Sequence, residues 1–135
     1  MKKLCLAILI VLLAFTLSAC RGGDVTHTEI LEQPSEIYTD SDINAAIQTI
    51  KDYFAQNLDG CKLTEIGYIG DDSASSFAMW AERFQTDEAI ILCSSFDVDP
   101  SADNVILEPN ATYDWEWILV REKGGKWMHV DHGYG

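Results

Sequence analysis

The chain has 135 residues, 9 Lys and Arg against 22 Asp and Glu, and a formal net charge of −13. An acidic balance of this size repels polyanions, which excludes nucleic acid as a partner and gives no attraction to an anionic bilayer surface. The length suffices for one domain built around a single core.

The first element in chain order serves export. Lys2 and Lys3 precede an apolar run of 14 residues from Leu4 to Leu17. A positive start followed by a short apolar core is the pattern of a secretory signal peptide. The run is shorter than the roughly 20 residues that a permanent spanning helix needs. Leu17-Ser18-Ala19-Cys20 follows directly and resembles the lipobox of bacterial lipoprotein precursors. The resemblance implies that the Cys20 thiol receives a diacylglycerol and that residues 1–19 are cut away. Ser18 and Ala19 are small, as an extended chain in a narrow cleavage groove requires. Each buried methylene contributes about 0.8 kcal/mol, and two acyl chains on one thioether give a stable anchor where one gives reversible binding. The expected product is an outward-facing lipoprotein of a bacterial cell membrane, with the bilayer as its partner through palmitate-type chains on Cys20. Two lysines leave with the signal, so 7 basic residues face 22 acidic ones at a formal charge of −15.

Residues 20–37 are polar, contain Gly22, Gly23 and Pro34, and show no sustained apolar period. They are expected to form a flexible tether that lifts a single domain, residues 38–135, off the membrane. Thr39-Asp40-Ser41-Asp42 then supplies an N-cap and negative charge for a first helical turn. Ile43, Ala46, Ile47, Ile50, Phe54 and Leu58 recur on one face, and Gly60 marks the stop. This long amphipathic helix is half of a core and needs a sheet to cover it.

Cys61 to Ile69 reads as a strand whose alternation slips, with Leu63 in one phase and Ile66 and Tyr68 in the other. Such a slip predicts a bulge near Glu65 or Gly67. Phe77, Trp80, Ala81 and Phe84 fit a short helix. Ala89 to Val98 is apolar enough to be a central strand. Tyr113, Trp115, Trp117 and Leu119 alternate along a third strand, Lys123 to Lys126 makes a hairpin turn, and Trp127 to Asp131 pairs back as a fourth. The sum is an α+β fold, one long helix and one short helix with a mainly antiparallel sheet of about four strands.

Three segments together resemble a known domain: Asp59-Gly60-Cys61-Lys62-Leu63-Thr64, Ser94-Ser95-Phe96-Asp97-Val98-Asp99, and Trp115 to Arg121 with Gly125-Lys126-Trp127. They are similar to a small extracytoplasmic domain of Firmicutes lipoproteins, which also appears behind membrane-bound metallopeptidases related to beta-lactam-responsive antirepressors. The resemblance covers residues 37–135. It implies a cystatin-like or NTF2-like shape, a helix against a curved sheet, and it implies no established activity. The zinc motif HExxH of the metallopeptidases is absent from the sequence.

Candidate sites are few. Cys5 leaves with the signal and Cys20 is acylated, so Cys61 and Cys93 are the only pair available for a disulfide. The compartment permits one, although both lie in apolar stretches where a free Cys packs as a small hydrophobe. Asp97, Asp99, Ser101, Asp103 and Glu108 occupy the spacing of a calcium loop, but Ala102 stands where the turn needs Gly and Pro100 stiffens the loop. On a regular strand His129 and Asp131 share a face and His132 points the other way, so the three do not converge on a metal. Trp115, Trp117 and Trp127, with Tyr113 near them, are expected on one sheet face, either as core or as the wall of a ligand concavity. An NTF2-like isomerase or hydrolase needs a base inside that apolar cup. The nearby acidic residues alternate toward the opposite face, which argues against an enzyme. No cofactor is implied. The sequence therefore points to a lipid-anchored binding or accessory module with a cell-envelope protein partner, and next to a small-ligand sensor using the Trp-lined face.

Overall fold

A computed structural model describes residues 22–102 and 106–135. The expected signal peptide and acylation site, residues 1–19 and Cys20, and Asp103 of the expected calcium loop lie outside the described residues. The chain forms β1 (Glu29–Leu31), α1 (Asp40–Asn57), β2 (Cys61–Tyr68), a single 3-10 turn (Asp71–Ser73), α2 (Ala74–Arg83), β3 (Glu88–Val98), β4 (Thr112–Arg121) and β5 (Met128–Gly133). The five strands make one open sheet in the order β1-β2-β3-β4-β5. β1 runs parallel to β2, and every other pair is antiparallel. The α+β expectation holds, with two helices and four antiparallel strands as read. The sheet nevertheless has five strands and is mixed.

α1 starts where the cap residues place it. The Thr39 hydroxyl accepts the Asp42 N–H at 3.1 Å, and the Asp42 carboxylate accepts the Thr39 N–H at 3.1 Å. This reciprocal box satisfies two donors that a helix start otherwise leaves open. Gly60 ends the following turn at φ +74°, a left-handed conformation that costs glycine nothing. Ile43, Ala46, Ile47, Ile50 and Phe54 are all buried against the sheet.

The slipped phase of β2 is a bulge, with register lost between Leu63 and Glu65 at Thr64. The extra residue returns Ile66 to the face of Leu63, and both are fully buried. From the register, Leu63, Phe96 and Tyr113 share the α1 face, as do Tyr68, Leu92 and Trp117. Ala89, Ile91, Ile118 and Val120 point the other way and are also buried, and α2 touches both β3 and β4. The sheet is thus apolar on both faces at its centre, which explains the unbroken apolar run of β3.

The N-terminal stretch departs from the tether expectation. Asp24 bridges to Lys62, β1 adds to the free edge of β2, and the Thr28 hydroxyl donates to the Leu63 carbonyl at 3.0 Å. Farther on, Ser35 donates to the Asp71 carboxylate at 2.6 Å. A three-residue strand carries no period, so its signal lies in its partner. β2 offers an unpaired row of N–H and C=O groups that the preceding chain covers. No helix among the described residues is long and apolar enough to cross a membrane.

Candidate functional site

The aromatic residues of β4 were expected on one face together with Trp127. The structure divides them into two groups at opposite ends of α1. Tyr113, Trp115 and Trp117 lie on the α1 face, where Phe96 stacks on Tyr113 and meets Trp115 edge to face at 5.0 Å. Trp117 is fully buried, meets Phe54 of α1, and donates its indole N–H to Ser94 Oγ at 2.7 Å. Trp127 sits instead beside the first turn of α1. Its indole N–H bonds the Asp42 carbonyl at 3.0 Å and its ring packs on Tyr38. The Arg121 guanidinium lies 4.1 Å from the Trp127 ring and pairs with Asp42 at 3.0 Å and Glu88 at 2.6 Å. That second group is a structural clasp, because Arg121 and Trp127 tie β4 and the following turn to Asp42 of α1 and Glu88 of β3. Arg121 is held further in its charged form by the two carboxylates, against the opposing effect of its burial.

What Trp127 leaves vacant in the wall is filled by histidine. β5 carries an irregularity where Ile118 faces Asp131 but Leu119 faces His129, so Val130 is an extra residue. Residues 129 and 132, three apart, are thereby brought to one face. His132 Nδ1 lies 3.1 Å from His129 Nε2, and both rings join the aromatic group. His132 stacks on Trp115 at 4.8 Å and 17°, while Tyr53 of α1 meets His129 edge to face at 4.3 Å. The expectation that His132 points away from His129 is overturned by one inserted residue. The inserted residue opposite Ile118 and Leu119 was not readable from alternation in so short a strand.

The hydrogen bonds of the pair assign its protons. His129 Nε2 also lies 3.1 Å from the Asp131 carbonyl oxygen, which only accepts. The proton therefore sits on His129 Nε2, shared between that oxygen and His132 Nδ1, and His132 carries its own on Nε2. Burial holds both rings below the ordinary imidazole range, and for His129 the neighbouring His132 lowers it further. The pair is neutral at pH 7. It offers one donor and an aromatic surface on a face otherwise made of rings. Trp115 Nε1 is buried there without a hydrogen-bond partner. A groove of about 380 Å³ touches Trp115 but is lined also by Cys93, Asp114 and Glu116, and neither Tyr53 nor either histidine lines it. The carboxylates of Asp114 and Glu116 belong to the opposite sheet face by register, as the alternation predicts.

The other predicted positions are placed as follows. Cys61 pairs with Val98 and Cys93 with Gly67, six residues along β2 and on opposite faces. At about 3.3 Å per residue their separation is on the order of 18 Å, whereas a disulfide needs Cα atoms within about 7 Å. Both thiols are free, Cys61 buried and Cys93 half-buried, and burial pushes both above the usual thiol range. The disulfide reading is therefore corrected. Of the calcium-loop residues, Asp97 accepts the Thr112 hydroxyl at 2.7 Å, and Asp99 accepts both the N–H and the hydroxyl of Ser101. Glu108 follows the loop and gives its N–H to Tyr113 Oη at 3.0 Å. Among the described residues no three His, Cys, Asp or Glu side chains gather around a common point. Compared with known proteins, the chain matches no family model, no curated sequence and no solved structure.

Proposed function

We propose that this chain is a lipid-anchored extracytoplasmic binding module whose recognition surface is the aromatic and histidine wall at the β4–β5 edge. The observation that carries the reading is the convergence of Tyr53, Trp115, His129 and His132 on one face. Aromatic faces with a few placed polar groups are what small-molecule and peptide sites are built from. β5 is also an edge strand, so the wall borders backbone groups that no other strand covers. The address rests on Lys2, Lys3, the apolar run and Cys20. The cystatin-like or NTF2-like shape is proposed on the layout, one long helix across a sheet bent by bulges in β2 and β5. The cell-envelope partner is proposed on the resemblance to domains that accompany membrane-bound metallopeptidases.

Tryptophan emission tests the recognition surface, because Trp115 lies in the wall and stacks on His132. Titration with peptidoglycan fragments and small aromatic metabolites is expected to shift the emission for at least one class. The shift should be lost in Trp115→Phe and in His132→Gln, and a shift that survives both variants places the ligand elsewhere. Absence of any shift, together with failure to recover an envelope protein from intact membranes, overturns the reading.

A further inference from the structure

The N-terminal route determines how an anchor on Cys20 holds the domain, an inference that rests on the lipid-anchoring reading above. Gly23 donates its N–H to the Ala55 carbonyl at 3.1 Å, and Asp24 donates to the Cys61 carbonyl at 2.8 Å and accepts from the Leu63 N–H at 2.9 Å. A Cβ added at Gly22 would fall 2.1 Å from the Ala55 carbonyl oxygen, and one at Gly23 would fall 2.5 Å from the Phe54 ring. The chain is therefore packed into the domain from Gly22 onward, against the last turn of α1 and the start of β2. Only Arg21 lies between Gly22 and Cys20. Two residues of fully extended chain reach about 7 Å. α1 alone, at 18 residues, is about 27 Å long.

We infer that the lipid on Cys20 holds one defined end of the domain directly against the outer leaflet of the bilayer that receives it. That end consists of Gly22–Asp24, the α1–β2 turn at Asp59 and Gly60, and the two limbs of the β3–β4 loop. These pieces form one surface. Asp99 donates its N–H to the Gly60 carbonyl at 2.8 Å, and the Gly60 Cβ position lies 2.7 Å from Ala102 Cβ. Ile106 of the same loop is 83% exposed, an apolar side chain of the size that enters the headgroup boundary. Asp24, Asp59, Asp97 and Asp99 outnumber Lys62 at this end, and their repulsion from anionic headgroups limits the contact to the interface. The opposite end, with Arg121, Trp127 and the Glu122–Lys126 turn, faces away from the membrane.

The test uses full-length lipidated protein, its mass verified, in phosphatidylcholine–phosphatidylglycerol vesicles carrying a nitroxide on the headgroup. In a Cys93→Ser background a fluorophore is placed by Asp59→Cys or by Lys126→Cys, Cys61 being buried. The reporter at 59 is expected to be quenched several-fold more than the one at 126. A Gly/Ser insert of about 20 residues between Arg21 and Gly22, with a reach of roughly 25 Å, is expected to abolish the difference. Equal or reversed quenching in protein that carries the diacylglycerol overturns the orientation and leaves the anchoring intact. A difference that persists with the insert overturns the short leash as its cause. Protein from membranes whose mass shows an unmodified Cys20 overturns the anchoring reading, and the orientation falls with it.

Discussion

His129 Nε2 lies 3.1 Å from both His132 Nδ1 and the Asp131 carbonyl, and burial favours the neutral rings. The pH dependence of stability follows. Both rings titrate in the folded chain below the ordinary value of 6.5, so between the folded and unfolded values the unfolded chain binds more protons. The stabilising contribution is complete above about pH 6.5 and falls as the pH drops through that window. The lowered carboxylates Asp24, Asp42, Asp71 and Asp99 lose their contribution only below the ordinary value of 3.8. Urea denaturation is therefore expected to show stability declining as the pH falls below about 6.5. The double variant His129→Gln, His132→Gln should be flat over that interval, and an unchanged slope would remove the pair as the cause. The two indoles of the wall give an opposed pair of outcomes. Trp117→Phe deprives Ser94 Oγ of its donor and costs about 1–3 kcal/mol. Trp115→Phe removes an unpaired buried N–H and leaves stability unchanged or raises it by up to about 1 kcal/mol. Equal losses in thermal or urea unfolding would contradict the hydrogen-bond assignment.

α1 was readable in full because its information is local. The cap, the period of the apolar residues and the stop at Gly60 all sit within the segment they describe. The bulge of β2 was also legible, since Leu63, Ile66 and Tyr68 are long enough a pattern to show the slip. β5 was not, because its six residues hold too few apolar positions to reveal that Val130 is inserted. β1 left no trace, for its three residues are specified by the edge they cover. The elements are joined at the α1 start by Arg121, which reaches Asp42 of α1, Glu88 of β3 and the Trp127 ring. Arg121→Met is expected to cost on the order of 3 kcal/mol, since it leaves two carboxylates without their cation in a partly buried site. The denaturant midpoint checks this, and a loss below about 1 kcal/mol would reduce the clasp to an ordinary surface pair.

For the molecule as a whole, the N-terminal segment separates two pictures. A tether contributes nothing to stability, whereas a docked segment does. Removal of residues 22–32 uncovers the β2 edge and the Phe54 ring that Gly23 lies against. The truncated domain is expected to lose about 2–4 kcal/mol and to self-associate through the bared strand. Urea unfolding and size-exclusion chromatography measure both, and a truncated chain that is monomeric and equally stable would restore the tether. The segment from Gly22 to Asp24 is packed into the domain, against the last turn of α1 and the start of β2.

What the sequence determined by itself was whatever depends on neighbours along the chain. The export pattern ending at Cys20 is legible there as an expectation, and so are the amphipathic helix, the strand segments of β2 to β5 and the separation of the carboxylates from the apolar face. Only the tertiary structure decided which distant residues meet. It moved Trp127 out of the wall and brought His129 and His132 into it. It set Cys61 and Cys93 on opposite faces, and it laid the segment after Gly22 along the β2 edge. The reason is physical. Each of these outcomes turns on a bulge, a register or an edge, and those are settled by backbone hydrogen bonds between segments far apart in the chain.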